Sequence, residues 1–271
     1  MVHECTLAQP FSRSGVRTIS RREPPSVHVA RRRAPVLALV LLAPPLLAQS
    51  SQDAERVLHA ATMAMGGPSV MQIHTIETVA ACRGPKSTYR TIVRSARDGR
   101  ARFEQDFADG HRDEVGLSPH GAWEYDSDSG RYLKATALTY AEVRGHEIHM
   151  LSIAPESRLG RPVAAIDTVF RQTSAIAALF RDTLGGTVRA FYSRRDTTLL
   201  GFSFPNHRDP ASPAIELVLT RWRRIGGALL PTRAVYWQGR DAYRFRFTHI
   251  RLNELADSDF AAPPELGTSN R

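Results

Sequence analysis

The chain is nearly without cysteine and lysine. Cys5 and Cys82 are the only cysteines in 271 residues, and Cys5 falls in a stretch that reads as leader. Cys82 then has no partner, which excludes an internal disulfide. It alternates in phase with Ile76, Thr78 and Ala80, the position of a small buried hydrophobe and not of a reactive thiol. Lysine occurs only as Lys86 and Lys134, so the basic complement is arginine, a bias of the kind a GC-rich genome imposes. Long apolar runs are missing too. Ala34 to Ala48 is interrupted by Pro35, Pro44 and Pro45 and is too short to span a hydrocarbon core of about 30 Å. After residue 50 there is no linker, repeat array or low-complexity tract, which leaves one domain over 51–271.

Sites with recognisable chemistry are also missing. His146-Glu147-Ile148-His149 comes nearest to a metal motif, but a zincin sets its histidines four apart on a helix, and the fifth position here is Met150. The pair reads as part of a solvated helix face. Gly201-Phe202-Ser203-Phe204-Pro205 lacks the second glycine of a nucleophile elbow and lies in extended sequence, so Ser203 reads as a strand residue. Asp126 to Gly130 opens like a calcium loop, but the twelfth position is Ala137 where a glutamate is required. Gly185-Gly186 and Gly226-Gly227 lack a phosphate-loop context and read as turns. The expectation is a non-enzymatic protein with no metal and no cofactor.

Arg31-Arg32-Arg33, the apolar run to Ala48 and the small polar residues after it have the order of a secretory signal, cleaved after Ala48 or Ser50. Residues 1–50 therefore read as leader, and export to the periplasm follows. Residues 1–26 are arginine- and proline-rich without periodicity; their plainest explanation is a start codon assigned too far upstream, with Val27 or Val29 as candidates. Of the net charge of +9, residues 1–48 carry seven arginines and two carboxylates, so removing that +5 leaves +4. That balance requires no polyanionic partner, and no segment clusters arginine with aromatics as a base-stacking platform would. With no cysteine directly after the apolar run, the protein is expected to be unlipidated, soluble and monomeric.

The mature part opens with a helix capped by Asp53, in which Ala54, Val57, Leu58, Ala61 and Met65 make one apolar stripe, ended by Gly66-Gly67-Pro68. Extended segments follow, punctuated at Gly84-Pro85, Asp98-Gly99, Asp109-Gly110, His120-Gly121 and Ser129-Gly130. Between Leu138 and Ile153 the alternation stops, and Tyr140, Val143, Met150 and Leu151 fit a helical stripe closed by Pro155. Strands resume from Val163, and a meander from Ile215 to Pro263 closes the chain. In it Tyr243, Phe245 and Phe247 oppose Arg244, Arg246 and Thr248. Ile250 and Leu252 fall out of phase with Phe247, so they change face unless a bulge intervenes. So many short antiparallel strands imply a large twisted sheet or barrel. Phe103, Phe107, Trp123, Tyr125, Tyr243, Phe245 and Phe247 are each readable as core. Together they are the candidates to line an apolar cavity in a barrel too wide to fill.

Three stretches resemble the LolA-like family of periplasmic lipoprotein carriers, taken broadly to include LolB-like and RseB-like domains. They are Ala64, Gly66, Gly67, Ile73 and Thr75 where helix meets strand; Gly121, Trp123, Asp126 and Gly130 in a hairpin; and Gly227 with Pro231, followed by Ile250, Leu252, Asn253, Asp257, Phe260 and Pro263. The resemblance implies a mainly β fold with some helix: an unclosed antiparallel barrel of about eleven strands around an apolar cavity. A helical lid would contain Tyr140, Val143, Met150 and Leu151. The function it implies is carriage of acyl chains of lipids or lipoproteins, with transient contact to inner or outer membrane components. An RseB-like interaction module acting through a protein partner is the alternative.

Overall fold

The computed structural model describes residues 51–118 and 121–263. The leader, both cleavage points and the turn at His120 lie outside them. Helix α1 (Ser51–Ala64) begins two residues before the expected cap, so Asp53 sits in its first turn and pairs with Arg56. Its stripe holds, with Ala54 and Ala61 buried, and a one-turn α2 (Pro68–Met71) follows the glycines.

Thirteen strands, against the expected eleven or so, form one antiparallel sheet among the described residues. The first six are β1 (Thr75–Arg83), β2 (Thr88–Ala96), β3 (Ala101–Phe107), β4 (Arg112–Ser118), β5 (Gly121–Asp126) and β6 (Arg131–Lys134). The other seven are β7 (Ala164–Phe170), β8 (Thr173–Arg181), β9 (Thr187–Ser193), β10 (Leu199–Phe204), β11 (Ile215–Ile225), β12 (Ala228–Gln238) and β13 (Asp241–Leu252). Each set is a meander, and β1 pairs with β13 to join them, so the spatial order runs from β6 through β1 and β13 to β7. β6 and β7 are consecutive in sequence yet form the two edges. The sheet is unclosed, and the connection from 135 to 163 must cross its concavity.

That connection is not the single helix expected from Leu138 to Ile153. It is α3 (Ala137–His146), α4 (Ile148–Ile153) and α5 (Glu156–Leu159), broken at Glu147, whose ψ of 49° leaves the helical range. Thr136 caps α3 by accepting from the Thr139 amide at 3.0 Å. Every residue of α4 is buried. A helix buried on all sides fills an interior instead of covering one.

Register assigns the faces. The face under α3 to α5, called inner, carries Phe103, Ala80, Cys82, Phe245, Ala234, Leu217 and Phe202 in aligned or alternating positions. The phase break after Phe247 resolves as the bulge: Phe247 opposes Ala80, His249 opposes Val79, and Thr248 is the extra residue. Ile250 and Leu252 therefore stay on the inner side and pack on the core. Trp123 and Tyr125 do not share it. Leu117 pairs with Ala122 and Val115 with Glu124, which turns Trp123 and Tyr125 outward. The Trp123 ring lies over Gly116, where any Cβ would come within 2.1 Å of it.

The family-like glycines and polar residues act as joints. Gly66, at φ +134°, lets Gly227 approach so closely that a Cβ would meet its carbonyl at 2.7 Å. Met65 O accepts from the Leu229 amide at 2.6 Å in the same joint. Asn253 Oδ1 accepts from the His74 amide at 2.7 Å and its Nδ2 donates to Gln72 O at 3.0 Å. Arg100 reaches Asp257 at 2.7 Å and lies over the Phe260 ring. The first and last stretches of the chain are thereby tied together.

Candidate functional site

The site is the inner face together with the segment seated in it. Val143 and Tyr140 pack on Ala101, Phe103, Val115 and Leu117 of the first meander. Ile148, Met150, Leu151 and Ile153 join the main core with Ile76, Tyr236, Tyr243 and Phe245. The proposed lid residues thus lie on the proposed cavity residues. Phe107 sits at the margin against Tyr89, ring centroids 5.3 Å apart. What remains empty beneath α3 is a cavity of about 40 Å³ lined by Gly145, Val188, Phe204 and Tyr236 among others. That is room for one or two waters and none for an acyl chain. Gly145, weak by helix propensity, is where α3 comes nearest the sheet: a Cβ would lie 3.7 Å from the Tyr236 hydroxyl.

A buried ionic clasp holds the segment. Glu147, at the helix break, accepts from Arg144 Nη1 at 2.5 Å and from Arg158 Nε at 2.8 Å. The same two guanidiniums reach across to the β2–β3 turn, where Arg144 Nη2 donates to Gly99 O at 2.6 Å and Arg158 Nη2 to Ala96 O at 2.7 Å. Arg144 also reaches the Tyr140 hydroxyl at 2.9 Å. Two cations share one carboxylate, the carbonyls of Gly99 and Ala96 accept from the two Nη2 atoms, and Arg144 Nε is buried with no partner among the described residues. Sequence reading missed this cluster because its members are 3 and 11 residues apart in an interrupted helix; the break at Glu147 brings them together.

A second clasp ties α3 to the second meander. Arg208, in the β10–β11 loop, grips Glu142 of α3 through two bonds of 2.6 and 2.8 Å. His207 beside it bonds Asp182 at 2.6 Å. Burial pushes the Glu142 carboxyl up to about 7, against the pull of Arg208.

His146 and His149 are not on a solvated face; both are buried. His146 lies between Phe103 and Tyr236, with ring centroids 5.1 and 5.2 Å away. His149 Nε2 donates to Pro231 O at 2.8 Å and its ring meets Phe247 edge-on at 4.4 Å. Pro231 belongs to the stretch of β12 that has left β13, whose pairing with β12 stops at Arg233. The imidazole occupies the split between the two strands. Burial lowers both histidines to about 4, so both are neutral at pH 7. Among the described residues no three His, Cys, Asp or Glu side chains converge as a metal site. Cys82 is buried, 3.4 Å from Thr91 Oγ1, and burial pushes its thiol up to about 12.

No family model and no curated protein matches the chain. Solved structures do. A LolA superfamily protein from Nitrosomonas europaea aligns with a TM-score of 0.54 at 12% identity, covering 77% of this chain and 97% of its own. An outer membrane lipoprotein-sorting protein domain from Vibrio parahaemolyticus aligns at 0.48 and 11% identity over 76% of this chain and 97% of its own. A DUF1329 family protein from Desulfovibrio piger aligns at 0.49 and 12% identity over 77% and 97%. The likeness is one of fold: the chain has the LolA-like fold, an unclosed antiparallel barrel with a helical lid.

Proposed function

We propose that the protein is an exported, periplasmic carrier that shelters an acyl chain on the inner face of its half-barrel, in exchange for its own helical segment. One observation carries this reading: beneath α3 the inner face is filled, leaving about 40 Å³ there, by a segment that polar clasps tie to both meanders. The energies of the two occupants are comparable. Burying Val143, Ile148, Met150, Leu151 and Ile153 contributes about 10 kcal/mol at roughly 2 kcal/mol per side chain. A chain of a dozen methylenes contributes about 10 kcal/mol at about 0.8 each. Exchange of one for the other is then close to balanced, and the clasps decide which state is populated. Phe103, Phe107, Tyr243, Phe245 and Phe247 are the proposed contacts of the acyl chain. Trp123 and Tyr125, on the outer face, have no part in it.

The test is native mass spectrometry after incubation with phospholipid and lysophospholipid vesicles, with hydrogen exchange followed over residues 137–159. Carriage predicts an added mass that extracts as lipid, and faster exchange in α3 and α4 when the protein is loaded. A bare polypeptide mass with unchanged exchange refutes it and leaves the alternative, an interaction module acting on a protein partner.

A further inference from the structure

The outer face carries charges in two contrasting arrangements. On the first meander they are matched. Arg94 bonds Glu77 and Glu104, Arg102 bonds Glu114 at 2.5 Å, Arg112 lies within 3.1 Å of both Glu104 and Glu114, and Arg251 bonds Glu77. Where β1, β13 and β12 meet, they are not. Arg83 stands directly opposite Arg244, and Arg246 directly opposite Arg233. All four are exposed, and no carboxylate among the described residues is paired with any of them. They line a groove of about 750 Å³ whose other lining includes Ala81 and Val235 beside them and Tyr89, Phe107 and Phe245 of the inner-face set. Its one carboxylate, Asp106, is taken by Arg90 at 3.8 Å. Like charges facing each other across strands oppose pairing. This sheet tolerates two such pairs side by side although it matches its charges on the first meander.

We propose that this arginine groove binds the phosphate groups of an anionic lipid surface, docking the protein on a membrane through the face opposite the lid. Guanidinium forks match phosphate oxygens in pairs of hydrogen bonds. Strands about 4.8 Å apart set the four arginines in a flat array suited to several headgroups at once. A protein partner would need an exposed apolar or aromatic anchor; the large exposed hydrophobic side chains, Met63, Met71, Val163, Val169 and Leu184, all lie outside the groove, and of its own aromatics Tyr89 and Phe245 are buried and Phe107 is half-buried. The inference is separate from carriage in its side chains: the four arginines alternate with Cys82, Phe245 and Ala234 and stand on the opposite face of the sheet from them.

The purified protein is sedimented with phosphatidylcholine vesicles containing or lacking phosphatidylglycerol, at 0.1 and 1 M salt. Binding should require the anionic lipid and disappear at high salt, where the screening length falls from about 10 to about 3 Å. The Arg244→Gln/Arg246→Gln variant should bind about 30-fold more weakly. Its melting temperature should hold or rise as like-charge opposition is relieved. The charge-matched Arg131→Gln/Arg189→Gln variant, altered on β6 and β9, should bind like the parent. Equal losses in both variants would reduce the effect to net charge and overturn the proposal. Abolition of vesicle binding by 10 mM inorganic phosphate would convert the groove into a free-phosphate site, and saturable binding of polyglutamate without vesicle binding would assign it to an acidic protein. Either result overturns the membrane assignment, as does absence of vesicle binding.

Discussion

Replacing Glu147 by leucine removes the only carboxylate between two buried guanidiniums. The Glu147 and Arg158 side chains are wholly inaccessible and that of Arg144 is 8% exposed. Each arginine keeps its backbone carbonyl at the β2–β3 turn, but the cluster passes from a net charge of +1 to +2 in a site closed to water. Breaking a buried pair by removing one partner costs about 3–5 kcal/mol, a large share of the about 5–15 kcal/mol that stabilises a domain. The cost falls on the helical segment, so lid opening should rise by about a thousandfold for about 4 kcal/mol. Hydrogen exchange over 143–153 and the urea midpoint read the local and global parts. The triple variant Arg144→Met/Glu147→Leu/Arg158→Met removes all the buried charge at once and should recover most of the loss. If Glu147→Leu leaves both measurements unchanged, or if the triple variant is as damaged as the single one, the clasp does not hold the segment.

Acid should loosen the same segment. His146 and His149 are held near 4 in the folded state, below the unfolded value of about 6.5. Their contribution is complete above pH 6.5 and is lost as pH falls toward 4. Glu142, raised to about 7, has the opposite sign: its contribution is complete below about 4.5 and is lost as pH rises through 7. Between pH 6.5 and 4.5 the net for these groups is one proton, so stability should fall by about 1.4 kcal/mol per unit of acidification. Glu142→Gln should double that slope, and urea titrations at several pH values giving equal slopes would refute the assignment. Phe245→Asp should destabilise the fold. The structure places Phe245 in the filled core at 6% exposure, where a carboxylate has no partner. Circular dichroism should show a lowered melting temperature, and an unchanged one would mean that the inner face is open.

Alternation and turn residues located the strands because both are local. Period two and a glycine every nine to fifteen residues need no knowledge of the fold, and the breaks at Gly84, Gly99, Gly110 and Gly130 fall between strands as expected. The phase break after Phe247 was equally legible, and the bulge at Thr248 is its geometric answer. Gly66 was legible as a helix end from residue type, while its contact with Gly227 and the bonds of Asn253 to His74 and Gln72 span 160 residues or more and were not. Tertiary structure alone decided phase and occupancy. Which way Trp123 points depends on the register across the β4–β5 hairpin and on the space above Gly116, and no pattern within β5 contains that. His146 and His149 read as a wet helix face because helical periodicity shows one stripe; α4 is buried in every residue and His146 ends α3 in its buried last turn, so neither faces water. The inner face is filled because β6 and β7, adjacent in sequence, are opposite edges of an open sheet, so their connection has to pass through the concavity. The arginine groove has the same origin: residues 83, 233, 244 and 246 form no cluster in the chain, and antiparallel pairing of β1, β13 and β12 makes them one.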